Sequence, residues 1–154
     1  MDRRAMPIGA KFGVIHRAFR RELDAALREK DITGVQFAAL KAIEHLERGG
    51  GEVSQHDVEA LTHSSHPSMT EVLKKLEKKG FIEVRPSETD RRRKQLRCTE
   101  RARELELTVS RVDEKSFEGF CAGLDAEQTR RLEEMLDVLL QNACGCFEKE
   151  GKEA

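Results

Sequence analysis

The sequence predicts a mostly α fold carrying one small β-hairpin (α+β), on three observations. Apolar residues recur at steps of three and four along most of the 154-residue chain, the spacing of a helical face. Only the stretch from Phe81 to Thr99 departs from it, with a strand-like run, a charged tip and an alternating return. Hydrophobic residues make up 38% and charged residues 37%, a balance that suits long two-sided helices in need of partners rather than a compact monomer.

The first helix is expected from Ile8 to Glu29, where Ile8, Phe12, Ile15, Phe19, Leu23 and Ala26 form one stripe. Asp31-Ile32-Thr33-Gly34 interrupts it, and Thr33 with Gln36 has the form of a capping box that opens a second helix. That helix is apolar on two sides, through Val35, Ala39, Ala42 and Leu46 and through Phe37, Leu40 and Ile43, so it is expected to be central and buried. Gly49-Gly50-Gly51 ends it.

Ser54 and Asp57 then cap a short helix from Gln55 to Leu61, with Val53 set to touch Val58 as a staple and Val58 and Leu61 facing inward. Thr62-His63-Ser64-Ser65 reads as a polar turn, with Ser65 as N-cap and Pro67 in the first turn of the next helix. Met69, Val72, Leu73 and Leu76 give that helix its core stripe, and Gly80 is the residue expected just past its end.

Phe81 to Arg85 is strand-like and closed by Pro86, and the tip from Ser87 to Lys94 is too polar to fold inward. The return strand, Gln95 to Thr99, places Leu96 and Cys98 on one side and Gln95 and Arg97 on the other. A long helix follows from Thr99, with Ala102, Leu105, Val109, Val112, Ser116 and Phe120 near a heptad spacing, until Gly123 stops it. Asp125 and Gln128 cap a last helix whose stripe is Leu132, Leu136, Leu139, Ala143 and Phe147.

Net charge is −1, so no global basic field points to nucleic acid. Basic residues nevertheless outnumber acidic ones in residues 1–30 and 54–99, and acidic ones prevail in 100–154. That asymmetry suits one face meeting phosphate. No apolar run reaches the length of a signal peptide or membrane span, which implies no membrane partner, a cytoplasmic location and mostly reduced cysteines.

Two helices joined by a tight turn and followed by a charged hairpin make a winged helix-turn-helix, a device for lying on a duplex. Major-groove reading needs small polar and basic side chains near a helix start, and Ser65, His66, Ser68, Thr70, Lys74 and Lys75 qualify, with Ser54, Gln55 and Ser64 flanking. A wing tip in the minor groove needs Arg, which Arg91, Arg92 and Arg93 supply beside Lys94.

This order of parts, with Asp90-Arg91-Arg92 at the tip, LKKLEKKGFIEVRP at the end of the recognition helix and Thr99-Glu100 opening the next, resembles the MarR family of bacterial transcription regulators. The resemblance covers nearly the whole chain, read as one domain over 1–154. It implies helices at 8–30 and 100–148 that interlock two copies around a winged region at 33–99. Ile8, Phe12, Ile15, Phe19, Val109, Val112, Phe120, Leu132, Leu136, Leu139 and Phe147 would pack between the copies. Each winged domain would read half of a pseudo-palindromic operator on double-stranded DNA, with Arg92 as the wing-tip arginine and Asp90 as the acid bracing it. It also implies a small-molecule effector cleft bordered by His16 and His45, and a repressor as the regulatory role. Cys98 stands where the family usually has Leu, and Ala102 where it often has Gly, both matters of local packing.

The plainer alternatives are a solvated charged loop for Arg91–Lys94 and ordinary surface or core positions for His16 and His45. His63 and His66 lie across a turn, a weak metal signal, and Cys144-Gly145-Cys146 on a continuous helix points its thiols to nearly opposite sides. No metal or cofactor is expected. The chain has no Ser-His-Asp order, phosphate-binding glycine loop or paired-carboxylate motif, so no catalysis is expected. The alternative from another class is a winged-helix interaction module whose basic tip docks an acidic protein.

Overall fold

A computed structural model describes residues 5–87 and 93–150, the side chains of 144–150 excepted. Among them the order is α1 (Ile8–Glu29), α2 (Gly34–Arg48), α3 (Gln55–Thr62), α4 (His66–Lys78), β1 (Ile82–Pro86), β2 (Lys94–Cys98), α5 (Glu100–Phe120) and α6 (Ala126–Glu150). The strands pair antiparallel, Ile82 opposite Cys98 through Pro86 opposite Lys94. Val53 adds a one-residue bridge to Leu96, whose N–H donates to the Val53 carbonyl at 2.8 Å. Asp90, Arg91 and Arg92 lie outside the described residues, as do the side chains of Cys144, Cys146 and Phe147.

Two compact units divide the chain, Met1–Ser116 and Phe117–Ala154. The core of the first gathers Leu27 from α1, Ala39, Leu40, Ala42 and Ile43 from α2, Val58 from α3 and Met69, Leu73 and Leu76 from α4. Phe81, Ile82, Leu96 and Cys98 of the hairpin close it, with Ala102, Leu105 and Val109 of α5. α2 is the central element the two-sided pattern predicts. Its capping box is formed: Thr33 accepts from the Gln36 N–H, and Gln36 accepts from the Thr33 N–H. Ser54 and Asp57 form the same box on α3, and Asp125 and Gln128 exchange both bonds ahead of α6. Gly80 and Gly123 take positive φ, 74° and 96°, which lets each helix stop and the chain reverse.

Several side chains lie where the pattern does not put them. Val58 fills the inner face of the two-turn α3, while Leu61, just before the turn at His63, stands 45% exposed. Val35, in the first turn of α2, is also exposed, beyond the edge of the core. Gln95 is buried although it shares a face with exposed Arg97. Ser87 is buried as well, folded under the hairpin's base: its N–H donates to the Arg93 carbonyl at 2.9 Å and its hydroxyl to Glu52. Ser65 occupies the N-cap position of α4 without making a side-chain cap bond.

The expected frame residues divide. Val109 belongs to the core of its own chain, and Phe19 and Val112 are half-buried. Ile8, Phe12 and Ile15 on α1 are 71%, 49% and 47% exposed. In the second unit, Met135, Leu136, Val138, Leu139 and Leu140 stand open on α6, with Leu132 half-buried, and Phe120 is exposed at the end of α5. These helices keep apolar side chains in water that a single chain leaves uncovered.

Among the described residues no helix is long and apolar enough to cross a membrane, and no group of three or more His, Cys, Asp or Glu is placed to hold a metal ion.

Candidate nucleic-acid interface

α3 ends at His63 in a left-handed conformation (φ 50°, ψ 37°), and the Ser64 N–H returns to the Glu59 carbonyl at 3.1 Å. The chain reverses within three residues, and α4 begins at His66. Thr62 and Ser64 join hydroxyls at 3.0 Å inside the turn, while the Thr62 hydroxyl also reaches the Val58 carbonyl at 2.7 Å.

Beneath the start of α4 a closed polar network ties the two helices together. The Gln55 amide donates to Glu59 Oε1 and to Thr70 Oγ1, both at 2.7 Å. The Thr70 hydroxyl in turn donates to the His66 carbonyl at 2.9 Å. Glu59, its side chain only 13% exposed, meets His66 Nδ1 at 2.7 Å. A carboxylate can only accept, so this shorter contact favours the proton on Nδ1 over the longer approach of the Gln55 amide nitrogen at 3.2 Å, and the ring itself is exposed. Two amide hydrogens, one hydroxyl and one ring N–H are thereby matched to acceptors across four residues.

This changes the standing of several expected contacts. Gln55 and Thr70 spend their polar groups between α3 and α4. Ser54 spends its hydroxyl on Asp57, at 2.6 Å, and Ser64 on Thr62. All four are supports of the motif in this structure. The partner of Ser54 is legible in the spacing of its capping box, whereas only the packing of α3 against α4 shows that Gln55 meets Thr70. Glu59 is the member the sequence reading missed, and its spacing four after Gln55 was the available signal.

What remains outward is a compact set. Ser65, His66 and Ser68 are exposed at the start of α4, and Lys74, Lys75 and Lys78 are exposed further along it. Lys74 has Glu71 at 3.7 Å, an exposed pair of small energetic weight that leaves the ammonium free to rearrange. At the wing's base Arg93 and Lys94 are exposed. Asp57 stays well below the usual carboxylate range through its hydrogen bonds with Ser54, against the opposing effect of burial, and His56 and Arg93 add attraction.

The base of the winged domain is fixed independently. Arg101 lies over the Phe81 ring, 4.7 Å from its centroid, and donates to the Lys79 carbonyl at 2.8 Å, pinning α5 to the turn after α4. Thr99 donates to the Gly80 carbonyl at 2.8 Å. Cys98 is sunk in the core, and burial, with Glu47 and Glu44 adding repulsion, pushes its thiol up to about 12. It is a small packing residue rather than a reactive one.

A cavity of about 410 Å³ opens between α1, α2 and α5, walled by Phe19, Leu23, Phe37, Val109 and Val112, with Lys41 and Glu106 among its polar lining. His16 and His45 are both exposed and are not among its lining residues. Lys41 bridges Glu44, at 3.0 Å, and Glu106. Burial works against its charge, but the hydrogen bonds to Glu106 and Glu44 outweigh burial and raise its pKa.

Comparison with known proteins agrees with this architecture. The model of the MarR family matches residues 31–93. YdcH of Bacillus subtilis (strain 168), described as an uncharacterized HTH-type transcriptional regulator, is 31% identical over 105 residues, covering 68% of this chain and 71% of that one. Among solved structures, a crystal structure of MarR superposes with a TM-score of 0.73 at 23% identity, over 97% of this chain and 98% of that one. MepR of S. aureus in complex with DNA gives 0.70 at 20% identity, over 86% and 96%. Apo MarR from E. coli gives 0.68 at 24% identity, over 88% and 97%.

Proposed function

The chain belongs to the MarR family, and on that premise we propose that it is a homodimeric, sequence-specific DNA-binding regulator, acting as a repressor released by a small ligand. The observation that carries the reading is the division of labour around α4. The inward polar groups of the motif are satisfied by one another, and Ser65, His66, Ser68, Lys74 and Lys75 face out from a braced helix start. Serine hydroxyls and His66 Nε2 read base edges in the major groove, and the lysines meet phosphates. The fold is shared with MepR, solved on DNA.

The wing reaches the adjacent minor groove through Arg91, Arg92 and Arg93, above all Arg92, with Asp90 bracing the tip and Lys94 meeting phosphate beside it. Dimerisation is supported by the uncovered apolar rows on α1 and α6: Ile8, Phe12 and Ile15 on one, Leu136 and Leu139 on the other. A second copy removes them from water and sets the spacing of the two recognition helices. Ligand response is supported by the cavity of about 410 Å³ between α1, α2 and α5.

Binding to DNA upstream of the protein's own gene, measured across a salt series, tests the proposal. Sequence-selective affinity that falls steeply with salt is expected, and Arg92→Ala should weaken it by roughly 1–3 kcal/mol per contacted site. A folded dimer that ignores such DNA at low salt would be the interaction module instead.

A further inference from the structure

Away from the recognition face, α1 and the beginning of α2 flank a second, open groove of about 740 Å³, floored by Leu27, Ile32 and Val35 and rimmed by Arg17, Arg20, Arg21 and Arg28 with a single carboxylate, Asp24. We infer that this groove binds a small multivalent oxyanion of the phosphate type. Asp24 cannot balance four guanidinium groups. It pairs with Arg20 at 3.2 Å, while Arg28 donates to its backbone carbonyl at 3.2 Å and Arg21 turns to Glu22 at 3.4 Å. Arg17 has no carboxylate at ion-pair distance among the described residues.

The opposite wall adds positive charge. It is the amino end of the fifteen-residue α2, formed by Thr33, Gly34 and Val35. The capping box satisfies the Thr33 and Gln36 N–H groups, and those of Gly34 and Val35 have no acceptor among the described residues. Gly34 also admits a guanidinium to this end: a Cβ there would lie 2.9 Å from an Arg20 Nη. Like charges are thus gathered around an open space that suits an anion. Planar guanidinium forks suit the paired oxygens of phosphate-type ions.

The groove's position argues for a small ion over the duplex itself. Its α1–α2 turn is tied to the carboxyl end of α4, where Lys79 reaches Asp31 Oδ2 at 3.1 Å and Gln36 Oε1 at 3.4 Å. Ser65 and His66 lie ~20 Å away at the other end of that helix.

The test is calorimetric titration of the full chain with inorganic pyrophosphate at constant ionic strength, with thermal melts to confirm folding. One equivalent should bind per chain. Arg17→Ala/Arg21→Ala should weaken binding roughly tenfold or more, since each charge-assisted bond contributes that much. Arg21→Lys, which keeps the charge and loses the fork, should fall between the double variant and the parent. Arg111→Ala, an exposed arginine on α5, should bind as the parent does. No binding by the parent, or an equal loss in Arg111→Ala, overturns the inference. So does loss of DNA affinity with unchanged pyrophosphate binding in the double variant, which would assign the groove to the duplex.

Discussion

Replacing Gln55 with Met keeps the length and most of the packing of the side chain and removes only its hydrogen bonds. The two short ones go to a neutral hydroxyl, Thr70, and to a carboxylate, Glu59, with longer contacts to His66 Nδ1 at 3.2 Å and the His66 carbonyl at 3.4 Å. The first contributes about 1 kcal/mol and the second about 1.5–3 kcal/mol, but Gln55 is half-buried and water replaces part of both. The expected loss of stability is therefore about 2 kcal/mol, read as a shift in the urea midpoint at fixed protein concentration, because dimerisation links stability to concentration. DNA affinity should fall by a similar factor on operator and on unrelated duplex, since α4 loses its brace and no base contact is removed. A stability change under about 0.5 kcal/mol together with a loss confined to the operator would refute this reasoning and make Gln55 a reader of bases.

Three further outcomes follow from the same structure. Leu139→Asp places a charge in the uncovered row of α6 and should abolish the dimer and DNA binding together; an intact dimer in sedimentation removes that row from the interface. Glu44 is pushed up by burial, yet its contact with Glu106 and the hydrogen bonds from Lys41 and Arg48 bring it down from 4.5 to about 2. A depressed folded pKa gives stability that is present above 4.5 and lost as pH falls towards about 2. The urea midpoints of parent and Glu44→Gln should accordingly converge across that window, and a constant gap contradicts the assignment. Cys98, with its thiol at about 12, should resist iodoacetamide at neutral pH in the native protein and react once unfolded, as read by peptide mass spectrometry; rapid native labelling would show that the core opens there.

Local signals carried much of the fold. The boundaries of α1, the three capping boxes and the glycines after α4 and α5 are written in residues within a few positions of one another, and the structure forms them as the spacing predicts. Long-range pairings were not legible. Nothing near Lys41 announces Glu106, and nothing near Ser87 announces Glu52. The stripe on α5 was visible, but periodicity does not say which partner covers it, and Val109 proves to lie in the core of its own chain. The same limit governs the interface. Ser54, Gln55, Ser64 and Thr70 have the composition of a reading surface, yet Ser54 and Ser64 bond to near neighbours, Asp57 and Thr62, and the approach of α3 to α4 turns Gln55 to Thr70.

The central claim, that a dimer presents two braced α4 helices to one duplex, is tested most directly by footprinting the parent on DNA upstream of its own gene. The account predicts two protected half-sites related by a two-fold axis, centred about 10 base pairs or a multiple apart, with flanking minor-groove protection that disappears in Arg92→Ala. A single protected half-site, or no protection at low salt by a folded dimer, would contradict it.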